Sequence, residues 1–337
     1  MTTRILITGG TGFLGRHLVW RLAPQAEVVF TGRDAAVAAQ VIAATPAGGR
    51  PPQFVALAHG SADAAARLRV AATDADAIIH CAALASPWGA RSAYQRANVD
   101  ATAEVLAACA AHGIGRLVHI SSPSIYFAYR DRLGIAEDDA LPPPVNHYAR
   151  SKREAETMVL AAPLSHAVIL RPRAIFGPWD NALLPRLLRL LRYGRLPLLR
   201  GGQALLDLTY VDNVVDAVLL ALQLPATSDS ERIFNISNGE PLAAADLFAR
   251  IAAAFDLPIT PVARPYLLAD MAARALETAA LLAPGWEPPL TRYSLGAIAF
   301  SQTLDLQRAR RVLGYAPTVS VAQGIARTAT WWKEQRP

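Results

Sequence analysis

The sequence predicts an α/β fold: a Rossmann-type doubly wound parallel sheet with a smaller, mostly helical C-terminal substrate domain. An apolar run at 4–8 ends in a glycine turn and passes into helical spacing. Further apolar runs recur between helical stretches of ten or more residues, as parallel sheets require. After Arg171-Pro172 that alternation gives way to proline-punctuated segments.

Phe13, Leu14, Leu18, Val19 and Leu22 repeat at helical spacing after the turn. The β-branched run 27–31 is the second strand and stops at Gly32. Runs at 53–57, 77–81, 117–120 and 167–170 read as further buried strands, with a helix over 94–112. A patterned helix over 211–224 and a strand over 232–236 follow. From Pro241 onward the pattern is a string of short helices broken by prolines, Pro284 among them. The expected division is 1–173 plus 204–236 for the nucleotide-binding domain, and 174–203 plus 237–337 for the substrate domain.

The 337 residues are 53% apolar, enough to build a core without covalent staples. Cys81 and Cys109 are the two cysteines; both are expected to be inert core thiols, and a reduced cytoplasmic compartment is expected. No uncharged run reaches the length of a membrane span. The Ala/Leu-rich stretch 267–282 is broken by Asp270, Arg274 and Glu277, and is expected in a pocket or the core. The net charge is +6, but no basic run interleaves with aromatics, so nucleic acid is not an expected partner. No metal is expected. Only Lys152 and Lys333 are lysines among 33 basic residues. In so Lys-poor a chain each ammonium carries information, because it is compact and its pKa can be tuned.

Thr8-Gly9-Gly10-Thr11-Gly12-Phe13-Leu14-Gly15 sets glycines at 9, 12 and 15 between a strand and a helix. A pyrophosphate approaching a helix N-terminus needs that arrangement: Gly9 turns, Gly12 lets the backbone come close, and Gly15 lets the helix pack. A purely structural turn is the plain alternative, which the strand before and the helix after disfavour. Where NAD-selective sites place an acid, the second strand ends Gly32-Arg33. A guanidinium suits a 2′-phosphate, so NADP(H) is preferred and NAD(H) is the alternative. Asp34 is the competing candidate for a ribose contact.

Tyr148 and Lys152 lie one helical turn apart. An ammonium there favours the phenolate, and a phenol so tuned exchanges a proton with a carbonyl or alcohol oxygen. With nine tyrosines and two lysines, the pair would arise by chance roughly 9 × 2/337 ≈ 0.05 times. Ser121, Ser122 and Ser124 close the fifth strand, where a hydroxyl faces the crevice.

These residues resemble the extended short-chain dehydrogenases/reductases over nearly the whole chain: TGGTGFLG at 8–15, HCAA at 80–83, ANVDAT around Asn98, HISSPSIY at 119–126, YARSK at 148–152, LRPRAIFGP at 170–178 and LTYVDNV at 208–214. The resemblance implies a catalytic set of Ser122, Tyr148 and Lys152, with Asn98 holding the network behind Lys152. It implies cofactor contacts from Gly9, Thr11, Gly12, Phe13, Leu14, Gly15, Arg33, Ala82, Ala83, Tyr148 and Lys152, with Arg171 and Pro172 against the nicotinamide. Asp212 would tie the two domains together, and a homodimer is common in the family.

Within that superfamily the chain looks most like the 3β-hydroxysteroid dehydrogenase-like branch, which includes reductases of 2-alkyl-3-oxoalkanoates. Ser86-Pro87-Trp88-Gly89, Phe176-Gly177-Pro178, Asn238-Gly239-Glu240-Pro241 and 287–292 carry that likeness. The steroid-oxidising members have an acid where this chain has Gly32, which favours NADPH-driven reduction of a ketone on a hydrophobic substrate such as a 3-oxo lipid or steroid. Trp88, Ser124 and Phe176 are the expected substrate contacts, with Trp179, Tyr266, Leu267, Trp286 and Tyr293 as further pocket walls. The alternative is a nucleotide-sugar epimerase or dehydratase with retained NAD, using Arg186, Arg189, Arg192, Arg195 and Arg200; a third reading is a non-enzymatic NADP sensor.

Overall fold

The computed structural model describes residues 3–46, 48–191, 194–225, 231–283 and 285–335. Arg192 and Pro284, singled out above, lie outside the described residues. The strands β1 (Arg4–Thr8), β2 (Glu27–Gly32), β3 (Gln53–Ala56), β4 (Ala77–His80) and β5 (Arg116–Ile120) join His166–Pro172 and Ile233–Ile236 in one seven-stranded sheet. Every pairing in it is parallel, in the order Ile233–Ile236, His166–Pro172, β5, β4, β1, β2, β3. β1, β4 and β5 are almost wholly buried, because helices cover both faces of a parallel sheet and its strands must be apolar on both sides. The chain runs outward from β1 to β3 and returns to β4 on β1's other flank. Ligands bind where such a reversal occurs.

The helix α1 spans Phe13–Leu22 and buries Leu14, Leu18, Val19 and Leu22, the stripe that the spacing predicts. The stretch 94–112 is more elaborate than a single helix. Arg91–Tyr94 is α-helical, Gln95–Asp100 is a π-helix, and Ala101–His112 is α-helical up to Gly113 at φ 64°. Such widened turns commonly mark functional positions, and Asn98 sits in this one.

The C-terminal part departs from the expected string of helices. Leu242–Ala243, Leu205–Leu206, Gln302–Leu304 and Arg132–Ile135 form a four-stranded sheet, and Arg195–Leu199 pairs with Thr260–Arg264. Arg132–Ile135 and Leu205–Leu206, assigned from sequence to the nucleotide-binding part, thus pair with C-terminal strands. Strands of two to five residues are too short for alternation to register.

The helix Tyr266–Leu282 also corrects an expectation. Leu267, Leu268, Met271, Leu281 and Leu282 face outward rather than into a pocket or the core. Its inward anchor is polar: Asp270 is buried and ion-paired with Arg274 and Arg292, each at 2.8 Å. No helix among the described residues is long and apolar enough to cross a membrane.

Behind the carboxyl edge lies a buried imidazole row. His80 and His119 are paired neighbours on β4 and β5, with ring centroids 5.2 Å apart. Burial holds both well below the ordinary histidine value, and Lys152 pushes both further down. Both are therefore neutral when folded and take up protons only on unfolding. Their stabilisation is complete above about pH 6.5 and is lost as pH falls below it, at about 1.4 kcal/mol per pH unit for each. Melting temperature should thus fall between pH 7 and pH 5, and His119→Leu should flatten the fall. An unchanged slope in that variant would rule out this origin.

Candidate active site

The glycine turn fits a bound diphosphate. Gly9 is at φ +71°, and a Cβ there would lie 2.8 Å from the Ala82 Cα. A Cβ on Gly15 would lie 2.1 Å from the Gly9 carbonyl oxygen. No side chain caps α1 at Gly12, and the first helical bond runs from Arg16 N to Gly12 O. The amides of Phe13, Leu14 and Gly15 are thus left at the helix end for an anion. Thr11 and Gly12 are braced from behind by Arg16, whose Nη2 donates to the Thr11 carbonyl at 3.0 Å and whose guanidinium sits 4.7 Å from the Trp179 ring centroid. Sequence reading missed Arg16; its only signal was a basic residue inside an apolar helical stripe. Ala82 hydrogen-bonds Thr8 Oγ1 through its amide, and Ala83 follows it exposed.

At the end of β2, a Cβ on Gly32 would meet Thr11 Oγ1 at 2.3 Å and Thr11 Cγ2 at 2.5 Å. An acid at this position would clash with the turn. Arg33 is exposed beside it, whereas Asp34 uses Oδ1 to cap the next helix at Ala36 N and Val37 N.

The helix His147–Ala161 is capped by Asn146, which accepts from Ala149 N at 2.8 Å. That cap fixes its first turn at the crevice. Tyr148, Lys152 and Glu156 recur at i, i+4 and i+8, one above another. Tyr148 is hydrogen-bonded to the Ser122 side chain; burial, reinforced by Tyr293 and Tyr94, pushes the phenol up to about 12. The lowering expected from Lys152 is not seen. Lys152 Nζ instead donates to the Ile120 carbonyl at 2.6 Å, and burial lowers it to about 8. The phenol is therefore protonated at neutral pH and, with no charge beside it, a weaker acid than a free tyrosine.

Of the three serines, Ser122 is the one bonded to Tyr148, and its Oγ also accepts from Ser124 N at 3.2 Å. Ser121 and Ser124 are buried with unpartnered hydroxyls. Asn98 accepts from Leu84 N at 2.7 Å and donates to Ser151 Oγ at 2.8 Å, tying the loop after β4 to the residue beside Lys152. It positions that neighbourhood without bonding Lys152 itself. Cys81 is pushed up to about 12 by burial, an inert thiol like the buried Cys109.

Two expected contacts are corrected. The Arg171 guanidinium does not face the cofactor crevice: it forms a two-pronged pair with Glu156 at 3.0 and 2.6 Å and also donates to Tyr126 and the Glu137 carbonyl. Pro172, which ends the strand, is buried. Phe176 is a core residue, edge-on to Tyr210 and packed over Gly324. Of the other aromatic walls, Trp179 joins Trp20 and Trp331, Tyr266 packs on Phe300, and Trp286 is largely exposed. Tyr293 neighbours Tyr148, and Trp88 is half-buried in a turn closed by Ser86. Asp212 lies between His17 at 3.8 Å and Arg327 at 3.6 Å, joining α1 to the last helix.

A glycine cradle and a Ser–Tyr–Lys cluster on one crevice define a nicotinamide-dependent oxidoreductase. Residues 5–237 match the model of the NAD dependent epimerase/dehydratase family, and the chain belongs to that family. It is 35% identical over 338 residues to a 2-alkyl-3-oxoalkanoate reductase of Stenotrophomonas maltophilia, covering 96% of this chain and 98% of that one. It is 30% identical to a 4-hydroxy-2-methyl-3-oxo-4-farnesyl-3,4-dihydroquinoline-1-oxide ketoreductase of Stigmatella aurantiaca, covering 96% of this chain and 94% of the relative. Among solved structures, the dTDP-glucose 4,6-dehydratase DesIV of Streptomyces venezuelae, with NAD bound, superposes with a TM-score of 0.75 at 26% identity over 99% of this chain and 98% of its own.

Proposed function

We propose that the protein is an NADPH-dependent ketoreductase acting on a hydrophobic 3-oxo substrate. The observation that carries this reading is the Tyr148 phenol set against the Ser122 side chain at the carboxyl edge of the sheet. A bound nicotinamide supplies the hydride. Ser122 would hold the ketone oxygen, Tyr148 would deliver its proton to that oxygen and be left as a phenolate, and the Lys152 ammonium one turn along would face that negative charge and the ribose. Such general acid catalysis contributes about 10²–10⁴-fold. Both named relatives act on 3-oxo compounds, one of them farnesylated. Trp88 and Ser124 are the substrate contacts in this reading, and Asn98 is a positioning residue. The protein is taken as a cytoplasmic homodimer, divided as 1–173 plus 204–236 and 174–203 plus 237–337.

The NADPH preference rests on Arg33 beside the crowded Gly32. A charged hydrogen bond to a 2′-phosphate is worth about 1.5–3 kcal/mol. Arg33→Ser should therefore raise the NADPH Kd roughly 10- to 100-fold and leave that of NADH within about twofold, read by fluorescence titration. Equal losses for both nucleotides would remove Arg33 from that role. The epimerase or dehydratase alternative draws support from the fold match to DesIV. Against it, Arg186 is ion-paired with Glu287 and Arg200 with Asp131, which divides the basic stripe it needs.

A further inference from the structure

Among the described residues eight large apolar side chains stand exposed, and six of them fall between 267 and 286: Leu267, Leu268, Met271, Leu281, Leu282 and Trp286. Exposed leucines scattered singly need no explanation, but a contiguous apolar patch marks an interaction surface. The first five belong to the helix Tyr266–Leu282, whose 17 residues run roughly 25 Å. Leu268, Met271, Ala275 and Leu282 follow one another at three, four and seven residues, so they share a stripe. At 3.6 residues per turn that stripe lies opposite Asp270, Ala273, Glu277 and Ala280.

The inner stripe is fixed, so the helix has no means of rolling to hide the outer one. Ala273 and Ala280 are buried, Asp270 is ion-paired with Arg274 and Arg292, and Glu277 accepts from Arg292 N at 2.7 Å. At the start of the helix the Tyr266 ring packs edge-on to Phe300 at 5.1 Å.

Charge decides which partner fits. The exposed positions of the helix carry leucine, methionine, alanine, one threonine and Arg274, with no acid among them. Arg264, two residues before the helix, is exposed as well. A twofold pairing of the whole helix with its own copy brings residue 274, the midpoint, level with residue 274. That sets two guanidiniums side by side, and Asp270 is already divided between Arg274 and Arg292. An anionic lipid surface has the opposite character: it accepts an apolar stripe at the acyl boundary, and its headgroups draw basic side chains. Trp286, four residues past the helix, is of the residue type that favours the same interface.

We propose that the outer face of the helix Tyr266–Leu282 docks on an anionic lipid surface, lying in its plane with Leu268, Met271 and Leu282 inserted and Arg264 and Arg274 toward the headgroups. The docking stands apart from the reaction proposed above, and its test reads no turnover.

Full-length protein is floated with vesicles of mixed phosphatidylglycerol and phosphatidylcholine, and with vesicles of phosphatidylcholine alone. Wild-type protein should rise with the mixed vesicles and much less with the neutral ones. Leu268→Gln, Met271→Gln and Leu282→Gln together should lower the partition constant at least about tenfold. Arg264→Gln should lower it about fivefold, the worth of one basic side chain near such a surface. All four positions are exposed, so the melting temperature should hold. Trp286 emission, taken as wild type minus Trp286→Phe, should shift to the blue when mixed vesicles are added. Absence of flotation, equal flotation with both compositions, or flotation unchanged by the triple substitution would overturn the proposal. So would a triple variant that light scattering shows as a monomer where the wild type is a dimer, because the face would then belong to a second copy. Should the triple variant fail to fold, the comparison of lipid compositions and the Trp286 shift decide.

Discussion

Tyr148→Phe should lower NADPH-dependent turnover by about 10²–10⁴-fold, while cofactor affinity stays within a few-fold. The expectation follows from what the hydroxyl does and does not touch. It is bonded to Ser122 and held protonated by burial, so it is the acid nearest the substrate oxygen. The diphosphate cradle is built from backbone at Gly12–Gly15, which the substitution does not reach. Removing a positioned acid forfeits about 10²–10⁴ in rate, and the Lys152 ammonium is turned to the Ile120 carbonyl. Initial rates and NADPH titration on one preparation check both halves. Turnover at the wild-type rate would refute the mechanism, and loss of NADPH binding would show that the ring shapes the cofactor site.

Glu156→Ala should cost about 3–5 kcal/mol of folding stability. Glu156 and Arg171 are each about 3% exposed and paired through two bonds. Truncating the acid leaves a guanidinium in the core with only Tyr126 and one carbonyl to receive it. Replacing both partners, Glu156→Leu with Arg171→Met, should recover most of the loss, because an apolar pair pays no desolvation cost. Urea unfolding of the wild type and both variants measures this. A single-variant loss under about 1 kcal/mol would mean that water reaches the pair.

The nucleotide-binding half was legible because its signals are local. The turn at Gly9–Gly15 and the strand at its front are read from consecutive residues, and α1 falls on its predicted span. Tyr148 and Lys152 were legible for the same reason, being four apart on one helix. What stayed hidden depends on residues far apart in sequence. Arg171 is drawn from the crevice by Glu156, fifteen positions earlier, and no spacing rule announces that pairing. Phe176 reads as a pocket aromatic until Gly324, almost 150 residues on, opens room for its ring. The strand Gln302–Leu304 has too few residues to show a period, yet it carries Gln302 to the Ser122–Ser124 turn.

The contact between Gly32 and Thr11 bears on how such a chain can change over generations. Installing a carboxylate at 32 drives its Cβ into the β-branched Thr11 side chain, which must shift to admit it. A lineage drifting toward the unphosphorylated nucleotide must first trim Thr11, or acquire both replacements together. A preference for the phosphorylated coenzyme would in this scaffold be held by a steric ratchet as well as by charge, and a library that randomises 32 alone would be searching behind a closed door.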